Sequence, residues 1–281
     1  MQTLTHIGPL RETLAQQRAM GRRIALVPTM GNLHAGHIHL VQQARQYADV
    51  VVCTIFVNPM QFGQNEDLDA YPRTLDQDQV KLAAAHCEYL FTPTVAEMYP
   101  LGHAQHTVVS VPGLSSGYCG ASRPGHFDGV ATVVSKLFNM VQPHTALFGL
   151  KDYQQFRVIQ KMVADLCQPI EVIGIPTQRE PSGLALSSRN SYLSAEQKTK
   201  AVALIETLQW ASKALLQGAA IDSVESQAQQ RLVAADFKPD YFSVCNAHSL
   251  EAASAQDQAL VILAAAWMGK TRLIDNLRFD R

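Results

Sequence analysis

A continuous apolar run at residues 50–57 constrains the fold of this chain more than any other feature. It reads Val-Val-Val-Cys-Thr-Ile-Phe-Val and stops at Asn58-Pro59. A strand with one face in water alternates apolar and polar residues, whereas a strand of a parallel sheet is covered on both faces and is apolar throughout. The run therefore predicts a strand inside a parallel sheet.

Strands and helices are expected to alternate along the N-terminal part of the chain. The patterns predict strands at 24–27, 89–91, 108–111, 146–148 and 170–175, and helices at 34–47, 74–85, 129–141 and 153–166. Strands that alternate with helices of this length form βαβ crossovers and a parallel sheet. Residues 1–176 are therefore predicted to fold as a doubly wound α/β domain.

The pattern changes near Pro181-Ser182-Gly183. A long helical pattern at 194–217 opens with Ser194 and Gln197 at the spacing of a capping box. The remaining patterns predict a helix at 221–234 and strands at 240–244, 259–264 and 273–274. Residues 177–281 are therefore predicted to form a smaller α+β domain. In proteins of this kind the ligand usually binds outside the carboxyl ends of the parallel strands.

Composition excludes several classes of protein. The 281 residues carry 23 Lys and Arg against 24 Asp and Glu, a balance that argues against a nucleic-acid binder. A hydrophobic fraction of 47% excludes a disordered chain. We find neither a signal peptide nor a run of about 18 apolar residues that would span a membrane. The five scattered cysteines are typical of reduced thiols, so we expect a cytoplasmic enzyme with no membrane or nucleic-acid partner.

The first candidate site follows the strand at 24–27. Residues 29–37 read Thr-Met-Gly-Asn-Leu-His-Ala-Gly-His, and a helix is expected to begin there. His34 and His37 would share one face of its first turn. Helix N-termini bind phosphate through their N–H groups and dipole, and Gly36 would let a triphosphate approach the backbone. The segment predicts a site for nucleotide phosphates that stabilises charge at an attacked phosphorus.

Two other interpretations of these histidines stay open. A histidine near the start of a helix is often a surface residue or a helix cap. His34, His37 and His39 also form a cluster in which three imidazoles can bind zinc. His39, however, would lie on a different face of the helix.

Two more segments carry polar side chains that suit phosphate. Lys151 follows the strand at 146–148, with Asp152 placed to cap the next helix and Gln155 one turn later. The run Ser187–Arg189 combines two hydroxyls with a guanidinium at the domain junction. A solvated loop and a short Ser-rich linker are the alternative interpretations of these two segments.

The segment Asn58–Phe62 and the residue Arg123 are weaker candidates. The segment offers a neutral amide flanked by apolar side chains, which suits a carboxylate or hydroxyl of a small substrate, although a turn that simply stops the strand is the default interpretation. Arg123 lies in a compact turn, where it could bind an anion or be solvated by water alone.

Gly269-Lys270-Thr271 resembles the end of a P-loop, but Ala264 stands where the first glycine is required. The dinucleotide-binding Gly-x-Gly-x-x-Gly is also missing after the first strand.

Six segments, in their order and spacing, resemble the pantothenate synthetase (pantoate–β-alanine ligase) family. They read VPTMGNLHAGH, FVNPMQF, YPRTLDQD, SRPGHFDGV, FGLKDYQQ and GLALSSRN. The resemblance extends from near Arg22 to TRLIDN close to the C-terminus. It implies a Rossmann-like N-terminal domain, a smaller C-terminal lid and a homodimer. It also implies that pantoate, ATP and β-alanine give pantothenate, AMP and pyrophosphate through a pantoyl adenylate, with Mg²⁺.

The resemblance further implies roles for individual residues. His37 would be the proton donor with His34 beside it, and Lys151 and Arg189 would help to stabilise the charge that develops on the α-phosphate. Gln61 and Gln155 would hold pantoate, and Gln61 would also contact β-alanine. The implied ATP site comprises Met30, Gly31, Asn32, Leu33, His34, Ala35, Gly36, His37, Gly149, Leu150, Lys151, Asp152, Gln178, Leu186, Ser187, Ser188 and Arg189.

The chain departs from the family pattern at two positions. Leu150 stands where the family commonly has a polar residue, usually Glu, and Ser182 stands where Asp often precedes Gly-Leu-Ala. Each departure bears on nucleotide affinity or on the behaviour of a loop.

The alternative function is a nucleotidylyltransferase with the same His-x-Gly-His helix that acts on another small metabolite. A non-catalytic nucleotide sensor would bind ATP without forming product, and a metal hydrolase would hold stoichiometric zinc.

Overall fold

A computed structural model of the chain describes residues 1–63, 68 and 71–281. The described chain divides into two compact units. The first consists of Met1–Leu150 and Gln155–Pro176, and the second of Lys151–Gln154 and Thr177–Arg281. The short segment Lys151–Gln154 therefore groups with the C-terminal residues.

The N-terminal unit is built on parallel strands. They are β1 Gln2–Leu4, β2 Ile24–Thr29, β3 Val50–Ile55, β4 Tyr89–Phe91, β5 Thr145–Gly149 and β6 Glu171–Ile175. Across the described residues these six strands form one sheet in the order β1-β4-β3-β2-β5-β6. Its helices are α1 Ile7–Ala19, α2 Ala35–Ala44, α3 Leu75–Ala84, α4 Val95–Met98, α5 Cys119–Ser122, α6 His126–Val141 and α7 Tyr153–Asp165. The first two residues of α7 belong to the segment that groups with the C-terminal unit.

The apolar run lies inside this sheet, as predicted. β3 pairs in parallel with β2 on one side and with β4 on the other. Cys53 and Leu90 of the two neighbouring strands pack in one cluster with Val41 of α2 and Leu82 of α3. A central strand of this kind has no face in water, which explains why its sequence does not alternate.

The C-terminal unit combines helices with an antiparallel sheet. Its main elements are α8 Ala195–Ala201, α9 Ala203–Leu216, α10 Ile221–Ala234, β7 Phe237–Asn246, β8 Ala259–Met268 and β9 Thr271–Asp280. Among the described residues these strands form a three-stranded sheet with β8 in the centre. Leu208 of α9 and Ala228 of α10 pack with Ile262 and Ala264 of β8. The predicted fold class, an α/β sheet with a smaller α+β part, is confirmed.

One predicted strand is wrong. Residues 108–111 belong to no strand and pair with none in the described chain. The N–H of Val109 donates instead to the Thr132 hydroxyl of α6 at 2.9 Å. A side-chain acceptor thus takes the hydrogen bond that a strand neighbour would have accepted, so the β-branched residues alone were misleading.

Several boundaries differ from their predictions. The helix predicted at 194–217 is two helices separated by Val202, although the capping box of Ser194 and Gln197 is present. The C-terminal strands are each 10 residues long, and Gly269-Lys270 is the turn of the β8–β9 hairpin. The sequence analysis missed β1 and α1. In the described chain no helix is both long enough and apolar enough to cross a membrane.

Candidate active site

Three predicted site segments follow neighbouring strands of the parallel sheet. Met30 follows β2, Asn58 lies just beyond β3, and Leu150 follows β5. β2 lies between β3 and β5, so the strand order reverses at β2. Ligands of open α/β sheets bind outside the carboxyl ends of the strands at such a reversal. The topology therefore places these segments where a ligand is expected.

His34 and His37 form the start of α2 through their own side chains. His34 is the N-cap residue, and its Nδ1 accepts the N–H of Gly36 at 3.1 Å. Nδ1 of His37 accepts the N–H of His34 at 3.3 Å, and the two ring centroids are 4.0 Å apart. The helix thus begins one residue later than predicted, with His34 in the capping position.

These contacts determine which ring nitrogens carry protons. A nitrogen that accepts a backbone N–H has no proton, so in neutral His34 and His37 the proton is on Nε2. Both Nε2 atoms are therefore donors, which suits binding of phosphate oxygens. The N–H of Gly36 is occupied by His34, so in this structure it is not among the donors that the N-terminus of α2 offers.

A buried carboxylate holds the turn that precedes His34. Asp78 of α3 is fully buried, and its two oxygens accept the N–H groups of Asn32 and Leu33, each at 2.8 Å. Thr74 donates its hydroxyl to the same side chain at 3.1 Å. Lys81, one turn further along α3, donates from Nζ to the backbone oxygen of Leu33 at 2.6 Å. The helix α3 therefore fixes the backbone path into the histidine pair.

Asp78 was not predicted as a site residue from the sequence. The sequence did carry a signal, because Asp78 and Leu82 are four residues apart and therefore share one face of the predicted helix. The structure shows that both residues are buried. An acidic residue on the apolar face of a helix is unusual unless it has buried partners.

Gln61 is held in one orientation by Asn58. Nδ2 of Asn58 donates to Oε1 of Gln61 at 3.2 Å and to the backbone oxygen of Gly129 at 3.0 Å. Because Oε1 of Gln61 is thus used as an acceptor, its Nε2 faces away from Asn58 and lies 3.1 Å from Sδ of Met30. Gln61 therefore offers N–H donors on the side of Met30.

The orientation of Asn58 is itself determined by its neighbours. Its Oδ1 accepts the hydroxyl proton of Tyr99 at 2.7 Å and the N–H of Met60 at 3.3 Å. Burial raises the pKa of Tyr99 to about 12, so this hydroxyl keeps its proton at physiological pH. Asn58 is 1% exposed, and its side chain orients Gln61, the other amide of this segment.

The backbone near Gln61 is held by α6 and by the turn before it. A Cβ at Gly129 would lie 2.4 Å from the backbone oxygen of Met60, so only glycine permits this approach. Nη1 of Arg123 lies 2.9 Å from Nε2 of His126. Arginine can only donate a hydrogen bond, so Nε2 of His126 is the acceptor. Nδ1 of neutral His126 therefore carries the proton and donates to the backbone oxygen of Gln61 at 2.8 Å. Arg123 also donates to this oxygen, at 3.3 Å.

Leu150, one of the departures from the family pattern, packs on β6. A Cβ at Gly174 would lie 2.4 Å from Cδ2 of Leu150 and 2.9 Å from Cζ of Phe156. The apolar side chain therefore fills the space above a glycine. Gly149, which precedes it, has open space where a side chain would be. Gln155 is half-buried in the first turn of α7.

In the C-terminal unit, Gln178 and Leu186 lie opposite each other. The N–H of Leu186 donates to the backbone oxygen of Gln178 at 2.9 Å, next to a bridge between Arg179 and Ala185. Arg179 makes two hydrogen bonds to Asp275 of β9, at 2.6 and 2.9 Å. Asp275 is buried, so this paired contact fastens the loop to the sheet.

The other departure, Ser182, lies in the turn of this loop. Its hydroxyl accepts the N–H of Leu184 at 3.4 Å, a local contact that an Asp side chain also makes in turns. The following run, Ser187–Arg189, enters a 3₁₀ turn at Ser188–Tyr192 that Ser187 caps by accepting the N–H of Arg189 at 3.2 Å. Lys151 and Asp152 belong to this unit as well, in the 3₁₀ turn Leu150–Asp152.

One ring nitrogen of each histidine is unavailable to a metal ion. Nδ1 of His34 and Nδ1 of His37 are both engaged with backbone N–H groups. Among the residues that the structure describes, no group of three or more His, Cys, Asp or Glu side chains is arranged to hold a metal ion.

Comparison with known proteins shows the family of this chain. Residues 2–278 match the family model described as pantoate-beta-alanine ligase. The chain is 60% identical to the pantothenate synthetase of Shewanella baltica and 59% identical to that of Shewanella oneidensis, with all of both chains covered.

Solved structures show the same relationship. A crystal structure of pantothenate synthetase from Thermus thermophilus has a TM-score of 0.92 and 43% identity, with 99% of each chain covered. The Francisella tularensis pantoate-beta-alanine ligase, complexed with beta-gamma ATP and beta-alanine, has a TM-score of 0.76 and 33% identity, and covers 99% of this chain and 97% of its own. This chain therefore belongs to the pantoate–β-alanine ligase family.

Proposed function

We propose that this ligase forms pantothenate in two steps at the carboxyl ends of β2, β3 and β5. In the first step the carboxylate of pantoate attacks the α-phosphorus of ATP, a P–O bond forms, and pyrophosphate leaves. In the second step the amine of β-alanine attacks the acyl carbon of pantoyl adenylate, a C–N bond forms, and AMP leaves with the carboxylate oxygen. Family membership supports the overall reaction, and ATP and β-alanine are the ligands named for the Francisella relative.

The histidine pair at the start of α2 is the observation that carries this proposal. Its two Nε2–H donors lie beyond the carboxyl end of β2, at the reversal of the strand order. The α-phosphate becomes more negative as it is attacked, so donors that are already fixed in place stabilise the transition state. We assign His37 as the proton donor to the phosphate and His34 as the second donor. Met30–Ala35 and Gly36 line the same site.

Gln61 is proposed to bind the carboxylate of pantoate. Its Oε1 is engaged by Asn58, so its NH₂ group is what it presents on the side of Met30. An amide NH₂ suits an anionic oxygen, and from the resemblance we propose that the same group contacts β-alanine later in the cycle. We propose Gln155 as the second residue that holds pantoate.

The remaining ATP contacts are proposed from the resemblance. They are assigned to Gly149, Leu150, Lys151, Asp152, Gln178, Leu186, Ser187, Ser188 and Arg189. Lys151 and Arg189 supply positive charge for the phosphates, and the serine hydroxyls supply donors. The adenylate is a reactive mixed anhydride, so the site must keep water from it until the amine arrives.

Magnesium is proposed to arrive with ATP. The described residues hold no ready-made cluster of carboxylates, and Mg²⁺ in such sites is bound largely by substrate phosphates with one or two carboxylates. Asp152, which is exposed beside Lys151, offers one such carboxylate. When bound, Mg²⁺ neutralises phosphate charge and so helps pyrophosphate to leave.

A homodimer is also proposed from the resemblance, and a cytoplasmic location from the five scattered cysteines. The chain mass is 30.8 kDa, so light scattering on the purified protein should give about twice this value. A monomer mass at every concentration would contradict the dimer.

The first test is exchange of labelled pyrophosphate into ATP, with Mg²⁺ and pantoate present and β-alanine absent. We expect exchange that depends on pantoate, because adenylate formation is reversible. If folded protein binds ATP but shows no exchange, the proposed first step fails. Exchange with another small acceptor would favour the nucleotidylyltransferase, and ATP binding with no acceptor would favour the sensor.

A further inference from the structure

The backbone of Lys151 is bound by a side chain from the last strand. Nδ2 of Asn276, in the middle of β9, donates to the backbone oxygen of Lys151 at 2.9 Å. Both residues belong to the same compact unit. Asn276 is 9% exposed, so water competes little for this hydrogen bond.

Asn276 occupies the face of the sheet opposite the helices. Successive residues of a strand point to opposite faces, and Ala264 and Leu273 belong to the cluster under α9 and α10. Asn276 therefore lies on the second face, opposite Leu263 of β8. Leu263 is also buried. The amide of Asn276 is thus a buried polar group beside an apolar side chain, which is costly unless it has a specific partner.

The strand that carries Asn276 is held firmly. The N–H of Asn276 donates to Oδ1 of Asp275 at 2.8 Å, and Asp275 is fixed in turn by two hydrogen bonds from Arg179. A second contact anchors the Lys151 segment to the same unit, since the hydroxyl of Tyr153 donates to the backbone oxygen of Ala247 at 2.9 Å. The segment Lys151–Gln154 is therefore tied to the rest of its unit at two points, one in β9 and one just after β7.

We propose that Asn276 is a positioning residue for Lys151. Lys151 lies in a 3₁₀ turn of three residues, an element with little rigidity of its own. The side chain of Lys151 is long, so it holds a defined position at the phosphates of ATP only when its backbone is fixed. The hydrogen bond from Asn276 fixes that backbone. The adjacent residues Asp275 and Asn276 then serve two ATP-site segments, one through Arg179 and one through Lys151. This inference rests on the role proposed above for Lys151.

Asn276→Ala in the full-length protein tests this role, with Asn276→Leu as a second variant that retains the volume. Thr207→Ala is the matched control, because it removes a buried hydrogen bond from a side chain to a backbone oxygen elsewhere in the unit. We expect the KM for ATP and the Kd of ATP measured by calorimetry to rise about tenfold, the effect of one buried hydrogen bond. The KM for β-alanine should stay within about twofold, and the control should change none of these values.

A double-mutant cycle with Lys151→Ala separates this role from general destabilisation. If Asn276 acts through Lys151, its replacement adds little once Lys151 is gone. If the losses of ATP affinity in the two single variants add fully in the double variant, the inference is overturned. It is also overturned if the Asn276 variants bind ATP normally while Lys151→Ala binds it weakly. An unaffected Lys151→Ala would instead refute the role of Lys151 itself. If both Asn276 variants unfold where the control does not, Asn276 is structural and the inference fails.

Discussion

Asp78 and Leu33 are joined by a buried hydrogen bond of 2.8 Å that fixes the entry into the histidine helix. The carboxylate of Asp78 comes from α3, 45 residues further along the chain. It accepts the backbone N–H groups of Leu33 and Asn32, which immediately precede His34. The position of His34 and His37 thus depends on a side chain that itself performs no chemistry.

Asp78→Asn should therefore damage both stability and activity. The new amide would direct N–H donors at a backbone N–H, which leaves a buried group unsatisfied and costs about 1–3 kcal/mol. Urea unfolding and the rate of pyrophosphate exchange measure the two effects. Asp76→Asn is the control, since Asp76 is exposed in the first turn of the same helix. Equal stability of the two variants would contradict the importance of the buried contact.

Two variants of His34 should separate its capping role from its chemical role. Asn is among the preferred N-cap residues, so His34→Asn should retain the start of α2 but lose the Nε2 donor. We expect near-normal stability and a loss of adenylation of about 100-fold or more. His34→Ala should lose about 1 kcal/mol of stability in addition. Normal exchange by His34→Asn would mean that His34 acts as a helix cap alone.

Removal of the Tyr99 hydroxyl should weaken pantoate binding. Tyr99→Phe leaves Asn58 with one fewer donor, so the amide that orients Gln61 is held less firmly. We expect the KM for pantoate to rise about 3- to 10-fold while the KM for ATP is retained. Because the pKa of Tyr99 is raised to about 12, the pH profile below 9 should keep its shape. Tyr47→Phe is the control, since Tyr47 is exposed. Equal increases in both KM values would argue for general damage.

Lys151→Ala should abolish most adenylation without unfolding the protein. The variant removes the cation proposed to neutralise phosphate charge, and a loss of about 100-fold or more in pyrophosphate exchange is expected. Lys161→Ala is the control, because Lys161 lies on α7 in an exposed ion pair with Asp165. The denaturation midpoints should agree with that of the unmodified chain. Normal turnover by Lys151→Ala would refute the assigned role.

Stability should fall in mild acid because of His144. Its Nδ1 accepts the N–H of Ile24 at 2.9 Å, and burial, together with Arg23 and Arg18, lowers its pKa below 6.5. The unfolded chain then binds a proton more readily than the folded chain, so stability is lost as the pH falls below 6.5.

His144→Asn tests this effect, since the Asn oxygen can occupy the place of Nδ1 and does not titrate. Urea unfolding between pH 5 and 8 should show a smaller loss of stability on the acid side than in the unmodified chain. His106, whose pKa is also lowered by burial and by Lys136, will retain part of the slope. An unchanged slope in His144→Asn would exclude His144 as a cause.

Local pattern was sufficient to predict much of the fold. The apolar run at 50–57 required cover on both faces, and alternation with helices required parallel crossovers, so the α/β class followed. The same reasoning failed at 108–111, because a strand also needs a neighbour and the N–H of Val109 bonds Thr132 instead. Strand pairing is a long-range property that composition does not encode.

The residues proposed for chemistry were visible in sequence, whereas those that position them were not. His34, His37 and Lys151 lie in short segments at strand ends, and their types alone suggest phosphate binding, whereas the role of Gln61 was implied by the resemblance to the family. Asp78, Tyr99 and Asn276 act on residues that are 46, 41 and 125 positions away, at Asn32, Asn58 and Lys151. Local pattern therefore determined the class of fold and the chemical groups at the site. The tertiary structure alone decided which atoms those groups present, because a hydrogen-bond partner is selected by proximity in space and not along the chain.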